Sequence, residues 1–401
     1  MAEELVQLPP GMLRPGQTLS FALYDAQGHL LFARGQVLTN TPQARALING
    51  GAWVMPQDTQ DYRNQLAHKM DTLMLQGASL SEIAKAEQDF RYAGKAAPPK
   101  PNLTPREIWT DLITQTHQLL RQTDPPDFLA RVTALREAVL RRLQTSPDGT
   151  LLYLVFENSQ SFTEYSARHA LLSLVLADLA AEKLAMPAPM REALQGAALT
   201  MNAGASSAHD RLAARAEAAS EAERLALANH AREAAALLER QGIKDRLWLD
   251  AVRGHHDAEP GPLAGRSPGE ALARVLRRVD QLGARLSPRR SRGALSGGAA
   301  ARGVYFDETG QPDEAGAALI KAVGLYPPGS IVRLSNGEVG VVAKRGFSAN
   351  EPQVAVLVGK SGTPLTDPVL RDTRLAAQAV SASLAPTELR LHVNLDALLK
   401  L

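Results

Sequence analysis

His169, His230, the adjacent His255 and His256, and Asp280 are the side chains best suited to holding a metal ion. Three imidazoles and a carboxylate complete a first shell for Zn, Mn or Fe, since imidazole is a borderline ligand and carboxylate a hard one. Each lies in or at the end of a helix-patterned segment. The bland alternative is that these histidines are hydrogen-bonded packing residues between helices. The chain has no Cys, which excludes thiolate metal sites and disulfides.

An arginine-rich run from Arg266 to Arg302 offers a second chemistry. Arg289 and Arg292 are its candidate phosphate-binding residues, because guanidinium forks match phosphate oxygens. The competing reading of the run is a solvated helix face and loop. The dipeptide His209-Asp210 falls eight residues too late to share the spacing of the histidines, and is assigned a solvent-facing or capping role. Trp109 and Trp248 read as core anchors, and Trp53 as closing an N-terminal unit. Gly35, Gly50-Gly51 and Gly297-Gly298 lack phosphate-loop spacing and read as turns.

The elements that must position these residues are mainly helical. Of 401 residues, 45% are apolar and only 4% aromatic, with Ala and Leu abundant, a mixture that enters helices at little entropic cost. Helices are expected near 104–122, 127–145, 159–185, 188–201, 221–241, 245–254 and 268–286, an α-bundle. Thr104-Pro-Arg-Glu107 starts the first by capping chemistry. Ahead of it, 12–55 reads as a small β-rich unit, with strands around Leu19–Leu23 and Leu30–Ala33 and a short helix over Thr41–Ile48. A helical stretch over 60–94 and a Pro-rich linker at 96–101 follow. After the bundle, Asn336-Gly337 between Ser330–Leu334 and Glu338–Val342 is a strong hairpin signal, and Gln353–Val358 adds a strand. The tail from 365 to 401 has no clear pattern. The expected parts are 1–58, 59–103, 104–322 and 323–401.

Forty-four basic and 42 acidic residues nearly cancel to a net charge of +2, which argues against bulk nucleic-acid binding. Residues 1–13 have neither a basic start nor an apolar run, unlike a signal peptide. No stretch reaches the roughly 18 apolar residues of a membrane span. The expectation is a cytoplasmic protein without a membrane span.

Three passages resemble the HD-GYP domain proteins related to cyclic di-GMP phosphodiesterases. They are Tyr165–His169 with Leu194–Asn202, Asn229-His230 with Leu247–Asp257, and Ala322–Glu338; together they span about 150 to 360. The resemblance implies an HD-domain helical bundle with a small β-rich N-terminal module and a C-terminal β-hairpin subdomain. It also implies two or more metal ions activating water against a phosphodiester. Candidates then fall at 169, 201/202, 230, 255/256 and 280, each about one helix and a turn apart.

The identities depart from that pattern. Where the family places its His-Asp pair this chain has Met201 and Asn202. Met is a poor ligand for hard ions, and Asn lacks the charge to bridge two of them. The family's following Lys falls on Ala205. Of its His-His-Glu and Gly-Tyr-Pro signature, His255, His256, an acid at Asp257 and Gly261 remain. Asp280 stands where the family has a further aspartate ligand. The reading is therefore a bacterial signalling or scaffold protein with a degenerate site and no cofactor, binding a protein partner or a cyclic dinucleotide. The alternative is a metal-dependent phosphohydrolase with one divalent Mn, Fe or Zn ion on His169, His230, His255, His256 and Asp280.

Overall fold

The computed structural model describes residues 104–122, 127–389, 391 and 393–401. In the N-terminal part it describes 5–8, 13, 16, 19, 21–27, 30–32, 36–38, 45, 47, 52–56 and 73. The expected helices over 41–48 and 60–94, the linker at 96–101, and the turns at Gly35 and Gly50-Gly51 fall almost wholly outside these residues. Two compact units result, Met1–Leu103 and Thr104–Leu401.

The first unit contains an antiparallel sheet of β1 (Val6–Gln7), β2 (Leu23–Tyr24), β3 (Leu30–Phe32) and β4 (Trp53–Val54), in the order β1-β4-β2-β3. Alternation along a strand sends neighbouring side chains to opposite faces. Val54 therefore joins Leu8, Phe21, Leu23 and Leu38 in the core, while Trp53 stays half-buried. Val54, rather than Trp53, closes this core.

The second unit is mainly helical. Its helices are α1 (Pro105–Arg121), α2 (Phe128–Thr145), α3 (Pro147–Gln160), α4 (Tyr165–Lys183), α5 (Ala188–Thr200) and α6 (Ser206–Ala214). They continue with α7 (Glu221–Arg240), α8 (Arg246–Gly254), α9 (Pro268–Leu286), α10 (Gly297–Tyr305) and α11 (Glu314–Val323). Capping boxes start α1 (Thr104 with Glu107), α7 (Ser220 with Glu223) and α9 (Ser267 with Glu270), each satisfying two otherwise orphaned donors. Four helices were not expected: α3, α6, α10 and α11. Gly297-Gly298 opens α10 behind the N-cap Ser296, so it is a helix start and not a free turn.

Helix α4 is apolar nearly all round and buried, the signature of a central helix. It packs against α1, α2, α3, α5, α6, α9 and α11. Helix α8, which carries the His255-His256 pair at its end, is docked on α5 by Trp248. The indole Nε1 donates to Thr200 Oγ1 at 2.9 Å, and its ring lies so close over Gly196 that a Cβ there would sit 2.6 Å from it. Helix α9, carrying Asp280, is anchored by a buried polar network. Arg274, with no exposed surface, forms ion pairs with Asp313 and Glu308; Arg278 also pairs with both.

Five antiparallel strands complete the unit: β5 (Ile331–Leu334), β6 (Val339–Lys344), β7 (Gln353–Val358), β8 (Pro364–Asp372) and β9 (Val380–Leu384), ordered β8-β7-β6-β5-β9. The β5–β6 hairpin turns on Gly337 at φ 89°, a left-handed conformation that favours glycine. The tail, unpatterned in the sequence, supplies both edge strands and the short helix α12 (Leu395–Leu398). Among the described residues, no helix is long and apolar enough to cross a membrane.

Candidate functional site

The histidines converge from separate helices. His230, midway along α7, meets His255 and His256, which follow the last turn of α8. Their ligand-capable nitrogens all lie within 4.8 Å of one another. His230 Nε2 and His256 Nε2 are 3.3 Å apart, and the ring centres of His255 and His256 are 4.0 Å apart.

Backbone carbonyls fix the tautomers of two rings. His230 Nδ1 donates to Leu227 O at 2.6 Å, and His255 Nδ1 to Val252 O at 2.7 Å, each to the carbonyl three residues back. A neutral imidazole has one N–H, so each Nε2 presents a lone pair. His256 must then supply the hydrogen of its 3.3 Å contact with His230. His255 Nε2 is buried without a partner. A ring held through Nδ1 by a carbonyl, with Nε2 free, has the posture of a metal-binding histidine. These three nitrogens fit a single ion of the imidazole-preferring class. They do not fit a two-ion centre, because no carboxylate stands among them.

The electrostatics follow from burial. Desolvation, with some repulsion from His256, pushes His255 down to about 3 against the partial opposition of Asp280. His256 is lowered by the same desolvation, again with Asp280 opposing. His255 and His256 are therefore neutral at pH 7.

Asp280 and His169 form a separate pair beside the trio. His169 Nε2 lies 3.0 Å from Asp280 Oδ1, with the His169 residue 2% exposed. Burial would raise the Asp280 carboxyl, but the hydrogen bond and charge of His169, with the nearby His255 and His256, outweigh it and hold it below the usual carboxylate range. Tyr165 stacks on His169 at 5.8 Å, and the Arg289 guanidinium lies over the Tyr165 ring at 5.1 Å. Arg289 thus belongs to this neighbourhood. Arg292 does not: it is exposed and donates to Ala284 O at 2.5 Å at the end of α9.

The degenerate positions take structural places. Met201 is in the apolar core at 1% exposure, and Asn202 is buried in the turn after α5. Ala205 is the residue before α6, its carbonyl accepting from His209 N. Asp257 is exposed and pairs with Arg232 at 3.1 Å. Gly261, at φ 113°, lies in a loop whose carbonyls are gathered by Arg266.

Two expectations need correction. Asp210 does cap, accepting from Ser166 N at 2.8 Å, but His209 is not solvent-facing. Its ring stands edge-on to His230 at 5.3 Å, its Nε2 is buried and unpartnered, and desolvation with repulsion from His230 and Arg289 lowers it to about 3. The arginine-rich run is likewise not simply a solvated face, since Arg274 and Arg278 are buried and Arg277 donates to His256 O. The acids that neutralise them, Glu308 and Asp313, lie 30 or more residues on, so no local pattern reveals the pairing.

No protein-family model matches the chain, and no curated protein matches it. Among solved structures, the chain is similar to Bd1817, a HDG"Y"P protein from Bdellovibrio bacteriovorus, at 14% sequence identity and a TM-score of 0.37, over 79% of this chain and 98% of that chain.

Proposed function

We propose that residues 104–401 act as a non-catalytic signalling or scaffold unit that binds a protein partner, with a cyclic dinucleotide as the second candidate ligand. The fold is read as a phosphohydrolase-type bundle, following the HD-GYP resemblance in the sequence. One observation carries this: the convergent trio is wholly imidazole, and Asp280, the acid that weighs on both His255 and His256, is engaged by His169. Hydrolysis of a phosphodiester by paired ions needs an anionic ligand to hold them together, and Asn202 cannot provide one.

The partnerless Nε2 of His255 favours a second reading, a phosphohydrolase working with one ion. His230, His255 and His256 would hold that ion, which when bound would supply Lewis acidity toward a phosphoryl oxygen. The His169–Asp280 pair would then orient and hold a proton beside it.

Cyclic di-GMP hydrolysis with Mn or Fe supplied separates the two. The non-catalytic reading expects no metal-dependent turnover from the wild type. Turnover that disappears in both His255→Ala and His256→Ala overturns it. Elemental analysis of protein purified without an affinity tag tests the second reading, which ends if no stoichiometric metal is found.

A further inference from the structure

About 21 Å along α4 from His169, at 1.5 Å per residue, the helix ends at a different feature. A hollow of about 350 Å³ lies between the ends of α4 and α11, the start of α3 and the β6–β7 loop. Its wall carries Lys183 from the last turn of α4, Lys321 from the last turn of α11, Arg345 just after β6, and the acid Asp148.

Arg345 is already engaged. Its Nε donates to Asp148 Oδ1 at 2.5 Å and its Nη1 to Ala322 O at 2.9 Å. Lys183 and Lys321 have no partner among the described residues, so two unpaired ammonium groups face one hollow. A lysine in the last turn complements the negative end of its helix, which accounts for each residue singly. That does not account for both opening on the same hollow, whose acid Asp148 is taken up by Arg345. An anion in the hollow would give both a partner.

Phe347 also lines the hollow, and its side chain is 99% exposed. Its loop is tied down, with Leu325 N donating to Ala349 O at 2.7 Å and Gly346 packed so closely on the Glu351 carbonyl that a Cβ would lie 1.7 Å from it. The loop backbone is thus fixed and carries the ring at the rim, with nothing among the described residues stacked on it.

We propose that this hollow binds a small ligand joining a phosphate dianion to a planar aromatic ring, a mononucleotide in size. Lys183 and Lys321 take the phosphate as point charges, and Phe347 takes the ring. The volume lies at the lower end of the roughly 300–1,000 Å³ typical of small-ligand sites, suiting one nucleotide rather than two.

Isothermal titration of the full chain with adenosine 5′-monophosphate, inorganic phosphate and adenosine tests this. The monophosphate is expected to bind about tenfold or more tightly than either fragment. Lys183→Ala with Lys321→Ala should weaken it at least about tenfold, and Phe347→Ala about fivefold while leaving phosphate binding unchanged. All three residues are exposed, so the variants should melt like the parent. His255→Ala should leave this affinity unaltered. Absence of monophosphate binding below about 1 mM, or affinity indifferent to the double lysine variant, overturns the site. Phosphate binding as tightly as the monophosphate overturns the role of Phe347.

Discussion

His169 Nε2 stands 3.0 Å from Asp280 Oδ1, and the same ring lies against Gly283, one turn further along α9. A Cβ at Gly283 would sit 3.0 Å from His169 Cε1 and 3.1 Å from Nδ1. The glycine thus makes room for the histidine to reach the aspartate.

Gly283→Ala should therefore fail to deliver the usual gain. Alanine is worth about 1 kcal/mol over glycine inside a helix, but here the His169 ring must give way, and the change should be neutral or destabilising by up to about 2 kcal/mol. In a His169→Ala background the clash is gone and the gain of about 1 kcal/mol should return. Urea denaturation of the four proteins checks this. Equal stabilisation in both backgrounds would show that the two residues do not press on each other.

Stability should fall on mild acidification. His209 and His255 are held near 3 in the folded chain, against an ordinary value of 6.5. The unfolded chain therefore takes up protons first as pH drops. Their contribution is complete above about pH 6.5 and is lost progressively towards pH 3. At pH 5 the loss is roughly 2 kcal/mol for His255, and His209 adds to it in the same direction. Asp280 acts in the same direction only at lower pH. Denaturation with a chelator present, at pH 7.5 and pH 5, should show the difference, and His209→Gln should shrink it. A pH-independent midpoint over that interval would contradict the burial of these rings.

Much of the helical frame is legible in the sequence, for identifiable reasons. Thr104 and Glu107 announce α1, and Ser267 and Glu270 flank the start of α9, because capping chemistry is local. The Asn336-Gly337 hairpin is local too. Helix α3 escapes notice because its buried run Thr150–Phe156 is apolar on every side and shows no helical period. Edge strand β8 escapes for the opposite reason: it is largely exposed, with Asp367 and Arg371 among its residues, and pairing with β7 makes it a strand. At the site, spacing singles out His230, His255 and His256, which do meet. His209 is missed because its route to His230 depends on α6 docking on the start of α4 through Ser166 and Asp210.

The anchor of α9 is also open to test. Asp313 is 1% exposed, receives Arg274 and Arg278, and caps α11 by accepting from Gly316 N at 2.8 Å. Asp313→Asn keeps the cap oxygen but leaves two buried guanidinium groups with Glu308 as their acidic partner. Removing one member of a buried ion pair costs about 3–5 kcal/mol. A loss of that size is expected in denaturation at pH 7.5. A loss below about 1 kcal/mol, the level of an exposed pair, would mean the network is solvated.

The hydrogen in the His230–His256 contact gives the sharpest test of the site. Leu227 O and Val252 O hold His230 and His255 as Nδ1–H rings, and the 3.3 Å contact then requires His256 to carry its hydrogen on Nε2. Long-range nitrogen–proton correlation spectra with chelator present should show two Nδ1–H imidazoles and one Nε2–H imidazole among these residues. His256, lowered by desolvation, should keep that neutral pattern at pH 6.5. On adding Zn, one ion held through Nε2 of all three rings requires His256 to move its hydrogen to Nδ1 while the other two rings keep theirs, because a ring can bind through Nε2 only when that nitrogen is bare. The non-catalytic reading without an ion requires no such exchange. An Nε2–H signal from His230 or His255 in the chelated protein would show that the carbonyls do not set these tautomers.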